Sequence, residues 1–204
     1  MKQLVLISFL LPLFVFSQKR DSIRVKNDVF EVIYSEIFEQ PLWVEYTVRD
    51  IVKNADRKGM DFYTNDSIHT SDKYDYINNR WYKGHMAPAA SFYDTEEKLK
   101  KTFSYLNCSL QHYKLNRGEW RMLESQEKVW AKSFGPLIVQ INLKFDEGHE
   151  VLPTGGHIPT GYIKHIIFGG GRTECFYFPN EEPIKESFLD YKIKCIEHCQ
   201  VGIK

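Results

Sequence analysis

Seven histidines compete for acid–base work in this 204-residue chain, and His85 is set apart by its neighbours. It lies in Lys83-Gly84-His85-Met86-Ala87-Pro88-Ala89-Ala90. Gly and Pro on either side let the backbone bend tightly, which would hold the imidazole outside a regular element. With a pKa near 6.5, an imidazole can take a proton from water at neutral pH. Thirty-one residues on, Leu115-Asn116-Arg117-Gly118-Glu119-Trp120-Arg121-Met122-Leu123-Glu124 brings a carboxamide and a carboxylate. Read locally, Asn116 followed by Glu119 is a helix capping box, and Glu124 is a solvated charge on a helix face. On a helix, eight positions turn by roughly 80° and rise ~12 Å. Glu124 therefore cannot easily share a direct contact with Asn116, but its carboxylate can reach back toward the start of the helix.

Cysteine supplies a second set of chemistry-bearing residues. Cys195-Ile-Glu-His198-Cys199 contains metal-ligating types, yet a second ligand pair at zinc-like spacing is missing. Residues 1–17, MKQLVLISFLLPLFVFS, combine a basic start with a short apolar run and small residues near Ser17. That is the pattern of a cleavable secretory signal, too short for the ~20 residues of a spanning helix. It predicts a secreted or periplasmic protein whose mature part, 18–204, is a single domain. In an oxidising compartment Cys108, Cys175, Cys195 and Cys199 predict one or two disulfides, with three pairings open.

Elements must position these groups. VFEVIY (29–34), LWVEYTV (42–48), PLIVQINLKF (136–145), GYIKHIIF (161–168) and ECFYF (174–178) alternate or run apolar and read as strands, as does TFSYLN (102–107). Thr95 caps a short helix, and residues 117–132 carry Trp120, Leu123 and Trp130 at helical spacing. The tail 186–198 is expected to be helical, and 53–83 reads as a long polar loop. Irregular mixing of strands and helices places the chain in the α+β class.

Composition excludes less than it first suggests. Lys+Arg at 27 against Asp+Glu at 27 rules out a basic DNA-coating protein and an acidic tail, while 43% hydrophobic residues rule out disorder. Neutrality in total hides a local excess. Residues 98–121 hold Lys98, Lys100, Lys101, Lys114, Arg117 and Arg121 against Glu119 alone, a net +5 that falls to +3 when Glu96 and Glu97 are included. A phosphate-facing strip can thus exist on a neutral protein.

The two blocks around His85 and Asn116 resemble the DNA/RNA non-specific endonucleases. The resemblance rests on Gly84, His85, Ala87, Pro88 and Ala89. It continues through Asn107, Gln111, Asn116, Gly118, Trp120, Leu123 and Glu124, in order. A weaker similarity continues through Ile158-Pro159-Thr160-Gly161-Tyr162-Ile163-Lys164 and Phe176-Tyr177-Phe178-Pro179-Asn180, so that it spans roughly 30 to 195. The resemblance implies a ββα-metal (His-Me finger) core on a mainly antiparallel sheet, in which a strand hairpin presents His85 as general base. It implies Asn116 as the single direct protein ligand of one Mg²⁺, with Mn²⁺ as a substitute, and Glu124 as a carboxylate acting through water. Asn107, Gln111 and Arg117 are implied on the substrate side. DNA and RNA are the implied partners, cut to leave 5′-phosphate ends, and a homodimer is compatible.

Departures from the pattern concern the residues before His85. Where the family has Asp-Arg, this chain has Tyr82-Lys83, and Ser91 stands where Asp is usual. Lys83 keeps a positive charge for phosphate but loses the planar fork of arginine. These changes motivate an alternative reading, a catalytically weakened module that binds nucleic acid or another phosphate ligand.

Overall fold

The computed structural model describes residues 19–195 other than Glu186. The expected signal segment and the end of the tail, with His198 and Cys199, lie outside these residues. Among the described residues, no helix is long and apolar enough to cross a membrane.

Seven strands form the main sheet: β1 (Ile23–Lys26), β2 (Phe30–Ser35), β3 (Gln40–Val48), β6 (Leu137–Lys144), β7 (Gly161–Ile167), β8 (Thr173–Pro179) and β9 (Lys192–Ile193). They lie in the order β1-β2-β3-β6-β7-β8-β9, and every pairing is antiparallel. Alternation in β6 shows why: Leu137, Val139, Ile141 and Leu143 are all buried, and the residues between them are not. Period-two patterning of this kind commits one face to the core.

A separate two-stranded ribbon, β4 (Trp81–His85) with β5 (Cys108–His112), is followed by two helices, α2 (Tyr113–Arg117) and α3 (Glu119–Phe134). Strand, strand and helix in this order make the ββα unit. α3 lays Trp120, Leu123, Glu127 and Ala131 along its buried stripe, the 3-4-4 spacing of an amphipathic helix. It ends at Gly135, whose φ of 85° favours glycine, just before Pro136. The polar member of that stripe, Glu127, is fully buried and bonded to Lys164 of β7 at 2.9 Å and to the Tyr46 hydroxyl of β3 at 3.1 Å. Lys164 also lies 4.0 Å over the Trp120 ring.

Several sequence expectations are corrected. TFSYLN is not a strand: α1 (Glu96–Thr102) ends within it and a 3₁₀ turn covers Tyr105–Asn107, because Ser104 Oγ accepts from Leu106 N and starts a turn. The helix expected over 117–132 is found as α3, and a short helix that was not expected, α2, precedes it and is separated from it at Gly118. In the tail, a 3₁₀ turn (Phe188–Tyr191) leads into β9 rather than a long helix. Cys175 and Cys195 are joined, with Cα atoms 5.3 Å apart, while Cys108 is buried and free.

Candidate active site

His85 is the last residue of β4, so it stands at the end of a strand rather than outside one. It pairs with Cys108, and Gly84 pairs with Ser109. Glycine is required at 84, since a Cβ there would come within 2.7 Å of the Gln111 Cβ. The chain after His85 is fixed by Asn107. Its side-chain oxygen accepts from Ala87 N at 2.7 Å, and its amide donates to Ala87 O and Thr102 O, both at 2.9 Å. Asn107 is fully buried and its amide is fully used, so it holds the loop after His85 in place. Gln111 is likewise buried, against Gly84, and does not face the groove. Both were expected on the substrate side.

The imidazole packs against Phe62 and Phe103, at 4.6 and 4.9 Å between ring centroids. Its Nε2 is buried without a hydrogen-bond partner among the described residues, which leaves Nδ1 as the nitrogen able to meet a water. Burial, with the Arg57 charge adding to it, pulls His85 from its ordinary 6.5 down to about 3. The expected near-neutral value is therefore corrected: the ring is neutral and able to accept a proton over the whole ordinary pH range, but as a weaker base.

One groove of about 700 Å³ gathers the rest, with His85, Asn116, Glu124, Lys83 and Arg117 all on its walls. Asn116 belongs to the last turn of α2 and caps nothing; α3 starts at Glu119 after Gly118, without a side-chain cap, so the capping-box reading fails. Among the described residues its carboxamide makes no hydrogen bond, and its oxygen remains available to a ligand. Glu124, on the first half of α3, is half-buried. Burial, partly offset by Lys164 and reinforced by Glu127, raises its carboxyl to about 7.

The break between the helices aims both groups. A Cβ on Gly118 would meet the Lys114 carbonyl at 2.8 Å, too close for any backbone to tolerate unmoved. We expect Gly118→Ala to cost about 1–3 kcal/mol of stability by overpacking. Because misplacement by ~1 Å can cost about 100-fold, its kcat should fall more than its melting temperature suggests. Kinetics at a temperature where the variant is fully folded would check this.

Positive charge comes from four residues around the groove, Arg57, Lys83, Arg117 and Arg121. Arg57 was missed by the sequence reading because it lies in the aperiodic loop. That loop also supplies Phe62 and Asp61. Much of the expected basic strip is neutralised within the fold, as Lys98 pairs with Asp94, Lys101 with Asp28 and Glu97, and Lys114 with Glu182. Arg117 stacks 4.9 Å over the Tyr82 ring, which gives the unexpected Tyr82 a role in holding a cation.

Lys83 Nζ is bonded to Asp61 at 2.9 Å and lies over the rings of Phe62 and Tyr105. Burial is the largest single influence and lowers this ammonium, but the ion pair with Asp61 and the contact with Tyr105 together hold Lys83 above its usual value. The fork of Lys83→Arg could keep Asp61 and still reach phosphate. A gain of ~1–2 kcal/mol in the transition state corresponds to roughly tenfold in kcat/KM. A clear drop would show that the slot has been refitted around lysine.

Comparison with known proteins agrees with this geometry. Residues 13–200 match the family model described as DNA/RNA non-specific endonuclease. The chain is 33% identical over 117 residues to mitochondrial nuclease EXOG of Mus musculus, covering 51% of this chain and 32% of that protein. Mitochondrial endonuclease G of Homo sapiens is 26% identical over 133 residues, 63% of this chain and 43% of that protein. The chain thus spans about a third to two-fifths of the length of these curated relatives. A chain in the crystal structure of the EndoG/EndoGI complex superposes with a TM-score of 0.75 at 23% identity, covering 84% of this chain and 80% of that one, which shows a common fold. With the ββα unit, its histidine and its asparagine in place and nearly the whole chain matched, this protein belongs to the DNA/RNA non-specific endonuclease family.

Proposed function

We propose that the chain hydrolyses phosphodiester bonds of DNA and RNA without sequence preference, using a divalent metal ion, Mg²⁺ by preference. The observation that carries this reading is the convergence of His85, Asn116, Glu124 and four cationic side chains on one groove. The cations would bind backbone phosphates, which carry no base information. His85 Nδ1 would then take the proton of a water attacking phosphorus, with the Phe62 and Phe103 walls holding the ring in place.

Donor chemistry fits a hard cation. The free Asn116 oxygen and the Glu124 carboxylate are both oxygen donors, and a magnesium ion that keeps most of its waters needs few protein ligands. When bound, it would supply charge stabilisation at the phosphate and the leaving oxygen. Since Glu124 holds its proton up to about pH 7, binding the cation should displace that proton. Apparent Mg²⁺ affinity should weaken as pH falls below about 7, and Glu124→Gln should flatten that dependence; calorimetry at pH 6 and 8 measures both.

Tyr82-Lys83 and the Lys83–Asp61 pair favour the second reading, a module that binds nucleic acid without cutting it. Incubating the chain with plasmid and with RNA, in Mg²⁺ or EDTA, separates the two. Metal-dependent degradation of both substrates supports the enzyme. Intact substrate with a retained gel shift supports the binding module. We also infer export through residues 1–17; N-terminal sequencing of protein recovered outside the cytoplasm should begin near Gln18.

A further inference from the structure

Residues that the nuclease reading leaves unused meet near the far edge of the large sheet. His165 of β7 stands directly opposite Cys175 of β8, and β9 next to it leads within two residues to Cys195. Lys164 faces α3, so its neighbour His165 faces the other side of the sheet, away from the helix that carries Glu124. A nitrogen of His165 and the two cysteine sulfurs all lie within 4.8 Å of one another. Independently, His165 Nε2 is buried without a hydrogen-bond partner among the described residues, a cost that folds rarely accept without a ligand or water to meet it.

We propose that, once the Cys175–Cys195 bond is reduced, His165, Cys175 and Cys195 form a binding site for a zinc-class metal ion. Two thiols of a reductant supply the electrons. They leave as one disulfide, the Cys175–Cys195 bond breaks, and each sulfur gains a proton. Binding of the ion then releases those two protons to solvent, because the thiolate is the ligand. Two sulfurs and one imidazole nitrogen suit a borderline-soft tetrahedral ion. Bond lengths of ~2.3 Å to sulfur and ~2.0–2.1 Å to nitrogen imply donors roughly 3.3–3.8 Å apart, so three groups within 4.8 Å need only small rotamer changes. The fourth position is open to water. The tail sequence CIEHC lacked a second ligand pair, and β7 and β8 now supply one. The fold consequence is that β9 is clasped to its neighbours in either redox state, covalently when oxidised and through the metal when reduced.

Cobalt titration of the full chain tests this with a readout independent of nuclease activity. The chain is reduced with excess thiol, freed of it under inert gas, and titrated with Co²⁺. One equivalent should bind with a thiolate-to-cobalt charge-transfer band that Zn²⁺ abolishes, and the oxidised chain should show none. The band should survive Cys108→Ser, disappear in Cys175→Ser, and require at least tenfold more Co²⁺ in His165→Ala or His165→Gln. Circular dichroism confirms that each variant is folded. Absence of stoichiometric binding by the reduced chain would overturn the site, as would a band unchanged in both the Cys175 and His165 variants.

Discussion

His85→Ala should lower kcat by about 10²–10⁴-fold, the usual contribution of a positioned general base, while leaving nucleic-acid binding in a gel shift nearly intact. Three of the four cations that would hold phosphate, Arg57, Arg117 and Arg121, come from other elements than β4, so binding and proton transfer separate. Alanine also removes a ring packed between Phe62 and Phe103, and His85→Gln serves as a better-filled control. A second signature belongs to the same residue. With a folded value near 3 against an ordinary 6.5, the unfolded chain takes up a proton below pH 6.5 that the folded chain does not. Stability should therefore fall as pH drops from about 6.5 towards 3, and His85→Ala should make that slope shallower. Retention of full activity in the variant at neutral pH would reject His85 as the base.

Lys164→Met should be the most damaging single change to the fold. It leaves the Glu127 carboxylate in a dry interior with only the Tyr46 hydroxyl for company. It also strips the cation from above Trp120. Removing one partner of a buried pair costs about 3–5 kcal/mol, which for a chain of this size lowers Tm by very roughly 6–20 °C. The double variant Glu127→Leu/Lys164→Met should recover most of that loss, because the pair's own net worth is small once neither charge is left stranded. Thermal unfolding of the four proteins closes a double-mutant cycle, and an additive result would mean that the two side chains do not depend on each other. Activity should follow stability only in part, since Glu124 shares α3 with Glu127 and shifts with it.

How far the sequence could be read depended on whether a residue's role was local. The strands β2, β3, β6, β7 and β8 and the apolar stripe of α3 follow from periodicity, and the ββα unit from spaced blocks around His85 and Asn116. Asn107 was found but given the wrong task, because nothing in the chain says which atoms a buried amide will meet. Glu127 falls on the buried stripe by spacing, yet its type suggests solvent; its answer, Lys164, arrives from a strand 37 residues later. Arg57 and Asp61 were invisible for a related reason, since a loop without periodicity reveals no face. The split at Gly118 depends on a contact with the Lys114 carbonyl that becomes evident only once α2 is built.

β3 and β6 are hydrogen-bonded neighbours, from Trp43 opposite Asn142 to Val48 opposite Leu137, so everything from residue 49 to residue 136 is a single excursion between adjacent strands. Every residue lining the proposed catalytic groove belongs to that excursion. Closing so long a detour adds little entropy beyond that of a shorter one, and the sheet's own ladder is continuous without it. The strands thus keep their neighbours whatever the length of the detour, yet the detour is not free of the frame: Trp120, Leu123 and Ala131 pack into the sheet's core, and Glu127 is tied to Lys164.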